Sequence, residues 1–222
     1  MFTHRAWFQV GSIATILTAG CASPIHIVTP GAGMSLDPVP QVVVQFTNNF
    51  NPAEAWGIDL DGAAITGFSP APAPLGTSTA PLVYSLTPWQ HTIKTNATCG
   101  AFCVYNSEEV KFTPPKLFYN GTNVASARDL KQFQATAVFV GVQFDRSVPI
   151  NVTVVETSSP KRVKLGLSAS SFLPAGTPLN VTIPATSTKG DFFIMGDSLG
   201  LYTLEFTAAG VTPGGGSGTV KP

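Results

Sequence analysis

The chain has 222 residues, of which 44% are hydrophobic and 11% are charged, with 12 Lys and Arg balancing 12 Asp and Glu. So sparse and balanced a charge provides no basic surface for phosphate backbones, which excludes nucleic acid as a partner. The 21 glycines and 19 prolines favour short strands joined by turns, and the length is sufficient for two domains of about 100 residues each.

The first twenty residues have the composition of a secretory signal. A short basic start at His4 and Arg5 precedes an apolar run over residues 6–17, and small residues follow it. This run is too short to cross the hydrocarbon layer of a bilayer, which is about 30 Å thick. Residues 1–20 are therefore predicted to be a cleaved signal peptide and not a transmembrane helix.

The signal ends in the stretch Leu17-Thr18-Ala19-Gly20-Cys21. This stretch resembles the lipobox of bacterial lipoproteins, with Thr18 at the place where Leu is usual. The resemblance implies cleavage between Gly20 and Cys21, acylation of the Cys21 thiol, and attachment to membrane lipid through the acyl chains, in which each buried methylene contributes about 0.8 kcal/mol. The alternative is an ordinary signal peptide that is cleaved elsewhere, and Cys21 then has no such role.

Residues 21–40 are predicted to be an extended, lipidated tether. Six prolines and glycines interrupt the segment, and such a composition favours an extended chain over a packed element. The alternative for part of it is an edge strand around Ile25-His26-Ile27-Val28.

The first predicted domain covers residues 41–113 and consists of short strands. Its clearest strand is QVVVQFT at residues 41–47, and further strands are predicted over residues 82–86, 91–96 and 108–113. Asp61-Gly62 predicts a two-residue hairpin turn, because both residues accept positive φ.

Cys99 and Cys103 are left as a pair once Cys21 is lipidated. In the oxidising compartment that export reaches, this spacing allows a disulfide across a tight bend, helped by the flexible Gly100. So short a loop stabilises a local turn more than the whole domain. Two thiols supply at most half of a zinc shell, so neither a metal nor another cofactor is predicted.

Thr113-Pro114-Pro115-Lys116 predicts a domain boundary, with a linker over residues 114–116. The second domain covers residues 117–210, and its strands recur at a spacing of roughly ten residues, as in a β-sandwich. These strands are predicted over residues 135–145, 150–156, 162–169, 179–183, 191–195 and 201–207. The glycine-rich residues 211–222 are predicted to be a flexible tail.

Two segments of the second half carry a family resemblance: the turn Pro174-Ala175-Gly176 and the stretch Gly200-Leu201-Tyr202-Thr203-Leu204. They resemble bacterial immunoglobulin-like domains, and WGIDLDG at residues 56–62 resembles the same class more loosely. The resemblance implies an all-β chain with two immunoglobulin-like β-sandwiches in tandem. Such domains serve as surface stalks, adhesion modules and ligand-docking modules, and the fold does not choose among these roles.

Gly196-Asp197-Ser198-Leu199-Gly200 matches two hydrolase motifs, the Gly-x-Ser-x-Gly elbow and the Gly-Asp-Ser-Leu block of a lipase family. The elbow needs a helix after the serine and a histidine later in the chain, and no histidine follows Ser198. Asp59 and Asp61 share one strand face, but glycoside hydrolysis needs two carboxyl groups across a cleft. The Ser198 block is therefore predicted to be a turn between the last two strands, and the chain is predicted not to be an enzyme.

Trp89 follows Pro88 at the start of a strand and is the candidate for an exposed, ligand-facing aromatic residue, whereas Trp56 is predicted to lie in the core. Exposed aromatic residues that stack on sugar rings would make the chain a carbohydrate-binding module of the cell surface. The function predicted first is a lipid-anchored, non-catalytic module of the cell envelope, structural or adhesive, with an unidentified protein or glycan ligand. In a Gram-negative cell, Ala22 after the lipidated cysteine predicts location in the outer membrane.

Overall fold

The computed structural model describes residues 21–35, 37–82, 86–87, 89–99, 103–119, 129–143 and 147–222. Throughout these ranges the regular secondary structure is β-strand, which confirms the all-β prediction. The predicted signal peptide, residues 1–20, lies outside the described residues.

The N-terminal half of the chain forms two sheets that enclose a core, and we call this unit the N-terminal sandwich. Its strands are β1 (Ile25–Thr29), β2 (Gly33–Met34), β3 (Gln41–Phe46), β4 (Trp56–Leu60), β5 (Ala63–Ala64), β6 (Thr77–Pro81), β7 (His91–Cys99), β8 (Cys103–Val104) and β9 (Glu109–Thr113). One sheet has the order β1-β3-β6, and the other has the order β2-β9-β7-β4-β5 with β8 paired to β7. The strands pair in antiparallel fashion, except that β2 runs parallel to β9.

The C-terminal half forms a second such unit, the C-terminal sandwich. Its strands are β10 (Leu117–Tyr119), β11 (Leu130–Lys131), β12 (Ala135–Val142), β13 (Ile150–Glu156), β14 (Val163–Gly166), β15 (Leu179–Ile183), β16 (Lys189–Gly196), β17 (Gly200–Thr207) and β18 (Gly214–Lys221). The two sheets have the orders β10-β12-β16-β14 and β11-β18-β17-β13-β15. Again one pair is parallel, β11 with β18, and the others are antiparallel.

The two sandwiches arrange their first and last strands in the same way. In each, the first strand is divided between the sheets: β1 and β10 join one sheet, while β2 and β11 pair in parallel with the last strand of the other sheet. In the N-terminal sandwich the sheet of β1, β3 and β6 faces the sheet of β4, β7 and β9, and in the C-terminal sandwich the sheet of β10, β12 and β16 faces the sheet of β13, β17 and β18, as in immunoglobulin-like sandwiches. The C-terminal sandwich has one further strand, β14, beside β16. The prediction of two immunoglobulin-like β-sandwiches in tandem is confirmed.

Each sandwich has its own hydrophobic core. One cluster of buried side chains comes from residues 25–112 and the other from residues 117–220, on either side of the predicted linker. Period-two alternation builds these cores: in β17, Tyr202, Leu204 and Phe206 are buried while the residues between them face outward.

The tether predicted over residues 21–40 is wrong, because most of this segment belongs to the N-terminal sandwich. Ile25 is fully buried, and β1 pairs with β3 from Ile25 opposite Phe46 onward. Val39 is also buried, at 2% exposure. The apolar run around Ile25 therefore outweighs the neighbouring prolines and glycines, and the edge strand considered as an alternative is the one that forms.

The flexible tail predicted over residues 211–222 is also wrong, because Gly214–Lys221 form β18 beside β17. The glycines of this strand allow β10 to pack closely against it. A Cβ at Gly214 would lie 2.2 Å from the carbonyl oxygen of Leu117, and one at Gly216 would lie 2.3 Å from Cδ1 of Tyr119. Glycine here provides room for a neighbouring strand and does not indicate flexibility.

The sandwiches meet at a junction formed by residues 37–40, 113–117, 147–151 and 208–212. The Val39 amide donates to the Gly210 carbonyl at 2.8 Å. The Asp37 carboxylate accepts from both the amide (2.8 Å) and the hydroxyl (2.5 Å) of Ser147. The predicted linker is itself bonded, since the Thr212 amide donates to the Pro115 carbonyl at 2.8 Å. The two units are therefore held together at several points and not by a free spacer.

Candidate functional site

Cys21 is exposed, but its backbone is attached to the N-terminal sandwich. Its carbonyl accepts a hydrogen bond of 3.0 Å from the amide of Asn106, and it forms an isolated parallel bridge with Tyr105. The carbonyl of Pro24 accepts from the amide of Thr47 at 2.9 Å. Only residues 22–24 separate Cys21 from the fully buried Ile25. The candidate lipidation site therefore lies directly on the folded domain.

Residues 21–24, 47–55 and 105–107 together form one end of the N-terminal sandwich, which we call the N-terminal pole. The pole and the junction lie at opposite ends of the N-terminal sandwich, because β7 connects them. β7 begins at His91, which pairs with Phe112 beside the linker, and it ends at Cys99 next to the pole. The hydroxyl of Tyr105 donates to the Asn49 carbonyl at 3.3 Å, which connects two loops of the pole.

The backbones of Cys99 and Cys103 are directly opposite each other in the β7–β8 pair. Opposed residues of an antiparallel pair have Cα atoms about 4.5–5.5 Å apart, a separation that a disulfide can bridge. The two side chains lie outside the described residues, so the disulfide stays a prediction.

A groove of about 470 Å³ lies beside the pole, on the outer side of the sheet that contains β4 and β7. Its floor includes Gly57, and a Cβ built on this glycine would have no other atom within 4 Å, so the space over it is open. Trp56, Lys94, Asn96 and Tyr105 lie around this open space. The lining residues thus include Tyr105, the amide of Asn96 and the ammonium of Lys94. The ring of Trp56 itself packs on the core side of the sheet. The sequence did not reveal it, because its walls come from separate strands that only the register brings together.

The two tryptophans of the described residues have different environments. Trp56 is half-buried and packs edge-on against Phe46, Phe50 and Phe68, with ring centroids 5.7–5.8 Å apart. Trp89 is 74% exposed and precedes β7 at its junction end, apart from the groove. A ligand-binding role of Trp89 stays a prediction, while the groove beside Trp56 is the more enclosed surface.

The hydrolase motif forms the turn between β16 and β17, as predicted. The Ser198 hydroxyl donates to the carbonyl of Lys161 at 3.4 Å and accepts from Nη1 of Arg162 at 3.4 Å. His91 belongs to the other sandwich, where its ring contacts Asp61 and Thr87. Ser198 and His91 therefore share no site, and this pair does not form a nucleophile and its base.

His91 is buried at 6% exposure and connects the Asp61 turn to the sheet. Its Nδ1 lies 2.6 Å from the Asp61 carboxylate, and its Nε2 lies 3.1 Å from the carbonyl of Thr87. Burial raises the pKa of Asp61, but the hydrogen bond with His91, the amide of Thr92 and the charge of His91 together hold this pKa below its ordinary value. Asp61 and Gly62 have φ of 52° and 84°, which confirms the predicted hairpin turn.

Asp59 has a different partner from Asp61, since its carboxylate accepts from the Asn96 side chain at 2.5 Å. The two carboxylates therefore act separately within one hairpin. Among the described residues, no three His, Cys, Asp or Glu side chains converge in a way that could hold a metal ion.

Glu156 is a buried carboxylate, at 1% exposure, at the end of β13. It accepts from the amides of Arg162 (2.6 Å) and Val163 (3.3 Å) and from the hydroxyl of Ser158. These bonds close the loop from residue 157 to residue 162. Glu156 thus has a structural role, since buried amides need an acceptor.

The far end of the C-terminal sandwich exposes apolar side chains. Phe133 is 70% exposed and has φ of 59°, while its amide donates to the Gly196 carbonyl at 2.8 Å. Leu199 and Leu201 are 46% and 75% exposed near the same turn. Positive φ is uncommon for a bulky residue, and such outliers are a reason to suspect a functional role.

Within the described residues, no helix has the length and apolar character needed to cross a membrane.

No protein-family model matches the chain, and no curated protein matches it. Domains 4 and 5 of the S-layer protein SbsC align with 64% of this chain and 69% of theirs, at 15% identity and a TM-score of 0.31. Fibronectin(III)-like modules of Clostridium thermocellum CbhA align with 89% of this chain and 94% of theirs, at 11% identity and a TM-score of 0.28. For a β-glycosidase from Bacteroides vulgatus, 88% of this chain aligns with 24% of that chain, at 12% identity and a TM-score of 0.31. Matches of this strength assign neither an activity nor a partner to the chain.

Proposed function

We propose that the chain is an exported, lipid-anchored and non-catalytic module of the cell envelope, which acts by structural support or by adhesion. The signal-like residues 1–20 and the lipobox-like stretch before Cys21 support export and acylation. Two sandwiches fixed at a junction suit a stalk or a binding module. The serine and histidine that the hydrolase motif would need belong to different sandwiches.

One observation carries this proposal: Cys21 is exposed at the pole that lies opposite the junction. Acyl chains at this position would extend away from the folded chain without disturbing either core. The C-terminal sandwich would then lie on the side away from the lipid, with Phe133 and Leu201 exposed for contact with a partner.

The test is the intact mass and the membrane partition of the natively expressed protein and of a Cys21→Ser variant. The wild-type protein should lack residues 1–20, carry the mass of a diacylglyceryl group and sediment with membranes, and in a Gram-negative cell it should fractionate with the outer membrane. The variant should remain unacylated. A wild-type protein that is unacylated and cleaved at another site would refute the proposal.

A second candidate function is sugar binding in the groove beside the pole, because Tyr105 adjoins Asn96 and Lys94 there. Aromatic faces and amide groups together are suited to a sugar ring. We expect Tyr105→Ala to abolish glycan binding, while Trp89→Ala, on an exposed residue outside the groove, leaves it unchanged. Loss of binding in the Trp89→Ala variant instead would transfer the candidate site to Trp89.

A further inference from the structure

We infer that the N-terminal pole rests directly on the lipid bilayer, so that residues 47–55 and 105–107 form a membrane-contacting surface. This inference rests on the proposed acylation of Cys21. It goes beyond attachment, because an anchored domain on a long tether would leave its surface in water.

The chain between the acylated residue and the core is short. Residues 22–24 span at most about 10 Å when extended, and the Pro24 carbonyl is already bonded to Thr47. The hydrogen bond from Asn106 to the Cys21 carbonyl shortens this path further, since it fixes Cys21 against the pole. Acyl chains that start at Cys21 therefore bring the pole to the level of the lipid headgroups.

The residues of the pole are mostly uncharged. They include Asn49, Asn51, Tyr105 and Asn106, and Glu54 is the one acidic residue, with no Lys or Arg in residues 21–24, 47–55 and 105–107. Such a surface has only one charged group to desolvate when it meets headgroups, and desolvation of a charge costs more than that of an amide. Amide groups can bond to headgroup oxygens, and a tyrosine ring suits the boundary between apolar and polar layers. Because the pole carries one acidic residue and no basic one, its contact with the bilayer should not depend on anionic lipid.

The two tryptophans provide native probes of this orientation. Trp56 is opposite Ala97, close to the pole, whereas Trp89 lies before the junction end of β7. Residue 97 is six residues from His91, which corresponds to about 20 Å along the strand. A quencher confined to the headgroup layer should therefore reach Trp56 and not Trp89.

The experiment uses the acylated protein in phosphatidylcholine vesicles that carry a spin label on the headgroup. Trp89→Phe leaves Trp56 as the reporter, and Trp56→Phe leaves Trp89. We expect Trp56 emission to fall and Trp89 emission to stay within error of the value in unlabelled vesicles. As a control, fifteen Gly and Ser residues inserted after Ala22 should raise the pole by about 20 Å and restore Trp56 emission.

Equal quenching of both tryptophans, or of neither, in protein whose acylation is verified by mass would overturn this inference while leaving the proposed function in place. Quenching of Trp56 that survives the insertion would overturn it as well, because the short connection would then not be the cause. Absence of the acyl mass would instead refute the proposed function itself. The intact mass therefore tests the proposed acylation, and the tryptophan emission tests the contact between the pole and the membrane.

Discussion

Replacement of Gly210 by Ala tests whether the two sandwiches are clamped together. An added Cβ would lie 2.3 Å from the Pro40 nitrogen and 2.4 Å from the Val39 carbonyl carbon, both of them backbone atoms that cannot rotate away. Gly210 also has φ of +72°, which a residue with a Cβ tolerates poorly. The substitution therefore strains Gly210 itself and separates residues 39–40 from the C-terminal sandwich.

Gly210→Ala should reduce the free energy of unfolding in two ways. Alanine in the left-handed backbone conformation of residue 210 costs about 1–2 kcal/mol, and loss of the hydrogen bond from the Val39 amide costs about 1 kcal/mol. We therefore expect Gly210→Ala to lower the free energy of unfolding by about 2–3 kcal/mol and to release the junction.

Urea unfolding measures the first effect, and small-angle X-ray scattering of the Cys21→Ser chain measures the second, as a broader distribution of interatomic distances. Gly31→Ala is the matched control, since a Cβ there would meet nothing within 4 Å. A Gly210→Ala variant with unchanged stability and an unchanged scattering profile would show that residues 39–40 do not rest on Gly210.

Three further predictions concern substitutions of single residues. Glu156→Ala leaves the amides of Arg162 and its neighbour without an acceptor and should cost about 2–4 kcal/mol by urea unfolding, whereas Glu156→Gln, which keeps one acceptor, should cost less. Gly216→Val should cost more than about 2 kcal/mol, because its side chain overlaps Tyr119; an unaffected midpoint would mean that β10 does not pack there. The pKa of Asp61 in the folded chain lies below its ordinary value of 3.8. The ionised carboxylate therefore adds to the free energy of unfolding above about pH 4, and this stabilisation is lost as the pH falls through the lower folded pKa. Asp61→Asn should accordingly make the free energy of unfolding less dependent on pH in acid.

The strands that the sequence revealed are those in which side chains alternate. β13 and β17 have apolar residues at every second position, and their observed bounds differ from the predicted ones by at most one residue. β18 escaped prediction because glycine has no side chain through which an alternation could be recognised. The proline and glycine content around Ile25 predicts a tether, but the four apolar or β-favouring residues Ile25, Ile27, Val28 and Thr29 determine the structure and form β1.

Some features of the candidate site could be predicted from the sequence and others could not. The candidate Cys21 could be found from the sequence, because a signal-like run and a lipobox-like stretch are contiguous. The attachment of Cys21 to Asn106 could not, since these residues are far apart in the chain and meet only through the fold. The groove beside Trp56 depends likewise on the register of β4 and β7, which no local pattern specifies.

The clamp at the junction and the short connection at Cys21 have a joint consequence for the proposed function. In a flexible stalk the distance between the free end and the anchor varies, whereas two sandwiches fixed to each other keep the far end at a constant distance from the anchor. Strands of eight or nine residues extend about 30 Å, so two stacked sandwiches would place Phe133 and Leu201 about 60 Å from the lipid surface. Under the proposed function such a module would act as a spacer of defined length, and the side chains exposed to a partner would be those at its far end. Loss of the Asp37–Ser147 and Val39–Gly210 contacts should therefore impair partner binding even though these residues lie far from that end.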